Sequence, residues 1–438
     1  RMRFQTQEGE AEVERALARS LSAWLNGAPP PVDLDVLAAR AASERRAAAV
    51  VQICALRALF AIEAGDHAAG LALARRGSLM ARTEAIPSAE WLANLALARA
   101  RRYARQTHLA VRILEALDRV TAATWRPWLD WERLLAGGTI ADDQVTAGGA
   151  AAALQKLLAT ARAGDRGAFC RQADTLVAAT SVEPFRREAT AVIAAIDPFP
   201  LDGNAETGDE LRAWRRGDAP LPPPLLHGLL PPPGHQAACV LLWPDGQSAR
   251  FLPAGIPLLA GHGVASLPAS RRPHGRAETL LAVLALAGPE GLDESACFSR
   301  AYGFSYVPGL HRGVLDVLVH RARGVIEGIA TLTRGPGRLA LATTRPLLIS
   351  DPRTSHATTD RVLRLLAEQG RASAKETAAR LGLSLRAAQG ALSELAGSHA
   401  CVVERDGRNV TYVVEDSVFS EPTGRAEAGR WADRVARA

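Results

Sequence analysis

Three polar side chains stand at helical spacing toward the C-terminal end: Arg386, Gln389 and Ser393. In the stretch Ser384-Leu385-Arg386-Ala387-Ala388-Gln389-Gly390-Ala391-Leu392-Ser393-Glu394-Leu395 they fall on one side of a helix. Ala388, Leu392 and Leu395 fall on the other. Such a helix packs inward through its apolar side and offers hydrogen-bonding groups outward. An arginine fork matches the paired acceptors of guanine, and a glutamine amide matches the donor and acceptor of adenine. Ser384, just before the helix, is suited to cap its first amides and is also a candidate contact to the same ligand. Further on, Arg405 and Arg408 flank Asp406-Gly407, a tight-hairpin signal that holds two cations at the tip of a β-ribbon. The chemistry implied is recognition of a polyanion with readable edges, by contact and not by reaction.

Groups for covalent or metal chemistry are not arranged for it. Only two of the 52 basic residues are lysines, Lys156 and Lys375, and neither follows a glycine, which excludes a phosphate-cradling G-x-x-x-x-G-K-[ST] loop. There is no H-E-x-x-H and no G-x-S-x-G. Gly335-Pro336-Gly337 is too short for a dinucleotide loop, and Asp33-Leu34-Asp35 reads as an exposed turn. The five cysteines, Cys54, Cys170, Cys239, Cys297 and Cys401, are far apart and never in C-x-x-C. No disulfide framework or zinc site follows, and reduced thiols in a cytoplasmic protein are expected. No catalytic residue, cofactor or metal is expected. A net charge of +6 on 438 residues excludes a histone-like coat for nucleic acid. The arginine excess is spread along the chain, as in an Ala/Arg-rich composition, so its meaning lies in position and not in totals. No apolar run approaches the roughly 18–20 residues that span a bilayer, and no membrane partner is expected.

The elements that must position these groups follow from periodicity. Residues 1–197 read as helices almost throughout, with Leu, Ala and Val at three- and four-residue spacing. Breaks fall at Gly27 to Pro31, Gly65-Asp66, Ile86-Pro87-Ser88, Gly137-Gly138, Gly148-Gly149 and Gly164-Asp165. After Gly65-Asp66, small residues recur at Gly70, Ala74 and Gly77; Ala168 and Ala173 follow Gly164-Asp165 in a similar way, and Arg105 to Leu117 resembles them without the glycine. The pattern resembles the second helix of a tetratricopeptide hairpin, and it also fits an irregular helical bundle. Trp125, Trp128 and Trp131 either line a ligand groove or pack between helices. Residues 198–236, rich in proline, read as a linker.

From 237 the pattern changes. Strands are expected at Ala238 to Trp243, Ala249 to Leu252 and Ile256 to Leu259. Helices are expected at about 276–287, from Asp293 onward, and at 309–325. Strands at Ile329 to Leu332 and Leu339 to Ala342 follow. After a Pro-bearing bridge at 346–357, helices at about 359–369, from the capping box Ser373-Ala374-Lys375-Glu376, and at 385–396 precede strands at Cys401 to Glu404 and Val410 to Val414. Residues 421–438 read as a polar tail. Three helices and a hairpin, twice over, is winged-helix grammar. The expected architecture is mainly α: a helical domain (1–197), the linker (198–236), and two winged-helix (α+β) domains in tandem (237–350 and 356–420).

The second of these resembles bacterial helix-turn-helix repressor domains of the winged type. The first, from Ala296 through Tyr302-Gly303 and Leu315-Asp316-Val317-Leu318-Val319-His320-Arg321-Ala322-Arg323 to Arg334-Gly335-Pro336-Gly337-Arg338, resembles the OmpR/PhoB-type winged helix. By that resemblance Val317 and Arg321 would face bases, Arg312, His320 and Arg323 would touch bases or phosphates, and Arg334 and Arg338 would sit on the wing. The chain departs from that family at Gly313, Val314, Leu318 and Arg338, each of which weakens direct readout. The expected function is a DNA-binding transcription regulator on double-stranded DNA. Its helical half would bind a protein or peptide partner or a second copy of the chain. The alternative is a non-enzymatic scaffold whose winged helices bind protein.

Overall fold

The computed structural model describes residues 2–118, 123–140, 149–199, 208–230, 237–267, 275–355, 357–407 and 409–414. Arg408 and the expected tail at 421–438 lie outside them. Among the described residues the chain is mainly helical, with small sheets in its C-terminal half. It forms two compact units: Arg1–Ala152 with Ala179–Arg187 and Ala357–Ala438, and Ala153–Ala178 with Glu188–His356. The units cross the boundaries expected from composition, because the helices before 200 contribute to both.

The first unit begins with α1 (Met2–Leu25), α2 (Leu34–Ser43), α3 (Ala47–Glu63), α4 (His67–Thr83), α5 (Pro87–Tyr103), α6 (Thr107–Asp118) and α7 (Arg126–Leu135). From α3 to α6 the helices start at 47, 67, 87 and 107, a spacing of twenty residues. The turns close identically. Arg45, Gly65, Ala85 and Arg105 are all left-handed, and the amides of Arg46, Asp66, Ile86 and Gln106 each reach back to a carbonyl five residues earlier. A helix pair therefore takes forty residues, against about 34 in a tetratricopeptide repeat. The small residues after Gly65 mark where α4 meets α3. A Cβ at Gly70 would lie 2.8 Å from Ile62 Cγ1, and one at Gly77 would lie 3.1 Å from Cys54 Cβ.

The tryptophans belong to the packing. Trp24 stacks on Trp128 at 4.8 Å, Trp131 stacks on Phe185 at 5.2 Å, and Trp131 is fully buried. Beside them the buried Glu132 accepts hydrogen bonds from Arg99 and Arg102, both at 2.8 Å, and from Trp128 Nε1 at 3.2 Å.

The second unit draws on α8 (Ala150–Ala163), α9 (Arg166–Ala179), α10 (Glu183–Ile196) and α11 (Asp209–Arg216). The last lies inside the stretch expected as a linker. Its Trp214 is fully buried, and the buried Arg215 donates to the carbonyls of Ala194, Asp197 and Phe199. Polyproline runs cannot join a core helix, but the residues ahead of them can, and here they do.

Strands β1 (Cys239–Leu242), β2 (Ser248–Phe251), β3 (Ala265–Ser266) and β7 (Leu347–Ser350) form a sheet in the order β2-β1-β7-β3, antiparallel except for β3 beside β7. The expected strand at Ile256 to Leu259 is a 3-10 turn, Pro253–Leu259, because Pro253 and Pro257 have no amide to donate to a ladder. The expected bridge at 346–357 instead supplies the central strand β7. Asp351, next to it, is buried against Arg250 at 2.7 Å and Arg353 at 2.7 Å.

Next come α12 (Arg276–Leu286), α13 (Glu294–Tyr302) and α14 (Pro308–Val325), with β4 (Leu292–Asp293), β5 (Ala330–Gly335) and β6 (Arg338–Thr343) in a sheet ordered β4-β6-β5. Their core contains Leu280, Leu284, Phe298, Leu315, Leu318, Ala322, Leu339 and Leu341.

The chain then returns to the first unit with α15 (Thr358–Gln369), α16 (Ala374–Leu381) and α17 (Leu385–Gly397), and a sheet ordered β8-β10-β9 from β8 (Arg371–Ser373), β9 (Val402–Asp406) and β10 (Asn409–Val413). Its core of Val362, Leu363, Leu366, Leu392, Leu395 and Cys401 includes Leu109 of α6.

Candidate nucleic-acid interface

In α17, Ala388, Ala391, Leu392 and Leu395 are buried, while Arg386, Gln389 and Ser393 are exposed. The sequence dictates this division. Four apolar side chains at helical spacing have a core to enter, and the polar ones are left outside along about two turns, roughly 10 Å of helix. Ser384 Oγ accepts the Ala387 amide at 3.2 Å, which spends the side chain on fixing the start of the helix. Arg386 and Gln389 have no partner among the described residues, so both are free to engage a ligand.

The helix before it is held by the expected capping box. The Ser373 amide donates to Glu376 at 2.8 Å, and Ser373 Oγ accepts from Glu376 N at 3.3 Å. The Ser373 amide and hydroxyl hold the Glu376 carboxyl below its ordinary range. On the hairpin Arg405 is exposed and unpaired among the described residues, opposite Val410 in the ladder. Three cations not singled out from the sequence, Arg371, Lys375 and Arg380, are also exposed there without ion pairs among the described residues. A period count along α16 was the signal that could have found the last two.

The hold on this three-helix-and-hairpin module comes from far along the chain. The Arg101 guanidinium of α5 donates to the His399 carbonyl at 2.7 Å, and Gln106 Nε2 donates to the Ser398 carbonyl at 3.0 Å. Both carbonyls lie just past the C-terminal end of α17, where helix carbonyls lack intrahelical donors. Arg112 of α6 donates to the Ala367 carbonyl in the last turn of α15 at 2.5 Å. A cation at a helix C-terminus is favoured by the helix dipole. The partners are separated by 255 to 298 residues, so no local pattern announces them.

The module around α14 differs. Asp293 caps α13, accepting the Ala296 amide at 2.8 Å, as its place in the sequence implies. On α14, Arg312, Val317, His320, Arg321 and Arg323 are exposed. Arg323 is committed to the Leu332 carbonyl at 3.2 Å, and Arg338 to the Gly291 carbonyl at 3.2 Å. Leu318, which stands where the resembling family has a polar residue, is a buried core residue. Arg334, on the β5–β6 hairpin, is tied down. Its Nε binds Glu294 and its Nη1 binds Asp316, both at 2.6 Å, and hydrogen bonding from these carboxylates raises its pKa above the ordinary arginine range. A guanidinium with both edges occupied joins the hairpin to α13 and α14.

Four of the cysteines are buried and Cys170 is exposed. Burial pushes the thiols of Cys239 and Cys297 up to about 12 and that of Cys401 up to about 11, which leaves them protonated and unreactive at neutral pH. Among the described residues no three His, Cys, Asp or Glu side chains cluster as metal ligands, and no helix is long and apolar enough to cross a membrane. No protein-family model, curated protein or solved structure matches the chain.

Proposed function

We propose that the chain is a non-enzymatic, DNA-binding transcription regulator, with its two three-helix-and-hairpin modules as tandem winged helices and α17 as the DNA-reading helix. The observation that carries this reading is the exposed face of α17. Arg386, Gln389 and Ser393 stand in one row above a buried apolar face, with an unpaired Arg405 on the adjoining hairpin. Arginine and glutamine one turn apart can read neighbouring base pairs in the major groove. The surrounding Arg371, Lys375 and Arg380 suit phosphates, which fix register without reading sequence. The helical array that holds the module is the part suited to a protein or peptide signal.

The module around α14 favours a second role, contact with protein, because its helix exposes Leu310, Val314 and Val317 and three of its expected wing and helix arginines, Arg323, Arg334 and Arg338, are committed within the chain.

Selection of bound sequences from a random double-stranded DNA pool, followed by titration at several salt concentrations, tests the proposal. Arg386→Ala with Gln389→Ala is expected to cost about 1–3 kcal/mol per lost base contact and to relax preference at adjacent positions. Arg321→Ala is expected to cost less than either. Selection that enriches no sequence, or a double substitution that leaves affinity and salt slope unchanged, would overturn it.

A further inference from the structure

One large apolar side chain of α17 stays outside. Leu385, the first residue of the helix, is 50% exposed, whereas Leu392 and Leu395 of the same helix are buried. Its position gives the exposure a meaning. Ser384 Oγ accepts the Ala387 amide at 3.2 Å and fixes the turn that carries Leu385. Side chains of a helix tilt toward its N-terminus, so Leu385 projects ahead of the first turn. That is the end of a reading helix that meets base edges.

Leu385 and Gln389 are four residues apart and share one face, and Ser393 lies four further on. Arg386 stands beside that row. The other outward residues of these turns, Ala387 and Gly390, are short, and a Cβ at Gly390 would meet nothing within 4 Å. The first two turns therefore offer three long side chains: a fork of donors, an amide and a branched hydrocarbon. The first suits the acceptors of guanine and the second the donor and acceptor of adenine. A hydrocarbon has nothing to offer a phosphate and no hydrogen bond to offer a base. What it can meet in the major groove is the C5 methyl group of thymine. Four residues of helix rise about 6 Å, just under two base-pair steps of about 3.4 Å.

We propose that Leu385 is a specificity-determining residue that packs on the methyl group of a thymine, about two base pairs from the adenine read by Gln389. The inference rests on α17 being the DNA-reading helix, and it adds to the site a base that the polar row cannot select.

The test uses the full chain and a duplex enriched by selection, remade with deoxyuridine in place of each thymine in turn. The replacement removes the methyl and leaves the hydrogen-bonding edge unchanged. One replacement, within about two base pairs of the position that Gln389→Ala relaxes, is expected to weaken binding about fourfold, the worth of one buried methyl group. Leu385→Ala should weaken binding to the thymine duplex by a similar factor and lose nothing more on the deoxyuridine duplex. Leu385→Met should regain the sensitivity to the methyl. The salt slope of Leu385→Ala should match that of the parent chain, because no phosphate contact is lost. Its far-ultraviolet circular dichroism should also be unchanged, because the side chain is exposed. Deoxyuridine tolerated at every position overturns the proposal, as do losses from Leu385→Ala and from deoxyuridine that multiply when combined. Either result leaves reading by Arg386 and Gln389 standing. A selection that enriches no sequence overturns both.

Discussion

Helices α14 and α17 occupy the same place in two modules of the same grammar, and they face the solvent differently. Each is the third helix before a β-hairpin, and each buries four or more apolar residues at helical spacing. Outside, α17 presents the polar row Arg386, Gln389 and Ser393, whereas α14 presents Leu310, Val314 and Val317 interspersed with Arg312, His320 and Arg321. On the hairpins, Arg405 is unpaired among the described residues while Arg334 is tied down twice. The comparison teaches that the inward face of such a helix specifies the fold and the outward face specifies the partner. A shared scaffold therefore does not transfer a shared role.

The modules also differ in what holds them, and this gives the largest expected effect. In the second unit the anchor lies beside the β2-β1-β7-β3 sheet, where Asp351 is buried between Arg250 and Arg353. Asp351→Asn would leave the fully buried Arg250 without its counter-charge, which is expected to cost roughly 3–5 kcal/mol. Chemical denaturation monitored within the second unit would measure it. Burial works against the Asp351 carboxylate, but hydrogen bonding from Arg353 and the charge of Arg250 outweigh it and hold its pKa below the ordinary value of 3.8. The contribution is therefore complete above about pH 4 and is lost as pH falls through the depressed folded pKa. A substitution whose cost is the same below that window as at neutral pH would remove the charge pair from the account.

Around α17 the anchors come from α5 and α6, and each is a hydrogen bond to a carbonyl. Arg101→Met leaves the His399 carbonyl without its charged donor, and about 1–3 kcal/mol is expected, less than for Asp351. Hydrogen exchange of the α17 amides is the measurement, since they should open more readily while α3 and α4 keep their protection. Equal loss of protection in α3 and α4 would mean that Arg101 supports the whole array and not the attachment of α17.

Much of this contrast was legible in the residues, and the illegible part has a common cause. Helix limits, the Ser373–Glu376 capping box and the Asp293 cap are local, set by side chains within four residues of the amides they serve, and they stand where the sequence puts them. Gly313 and Val314, read from the sequence alone, argue against base reading by α14. What escaped depends on distant partners. Arg334 meets Glu294 across forty residues, Arg101 meets His399 across 298, and β7 becomes central only because β1 and β3 lie on either side of it. The twenty-residue array escaped for another reason. Its turns need a left-handed residue, but only Gly65 of the four announces it, and Arg45, Ala85 and Arg105 adopt the conformation without a glycine to mark it.

The smallest expected effect separates the two hairpins. Arg405 is exposed, has no partner to lose among the described residues, and lies on the hairpin that follows α17. If it contacts a phosphate, Arg405→Ala should weaken DNA binding about equally for all sequences and lower the salt slope by about one. Arg334→Ala should leave that slope unchanged, because its charge is already neutralised by Glu294 and Asp316. Its cost should appear in unfolding instead, and because the pair is a quarter to half exposed it should stay within about 1 kcal/mol. Two arginines on equivalent hairpins would then fail in different assays, one in salt-dependent binding and one in stability. Equal salt slopes for the two variants would erase the difference between the hairpins and return both modules to a single role.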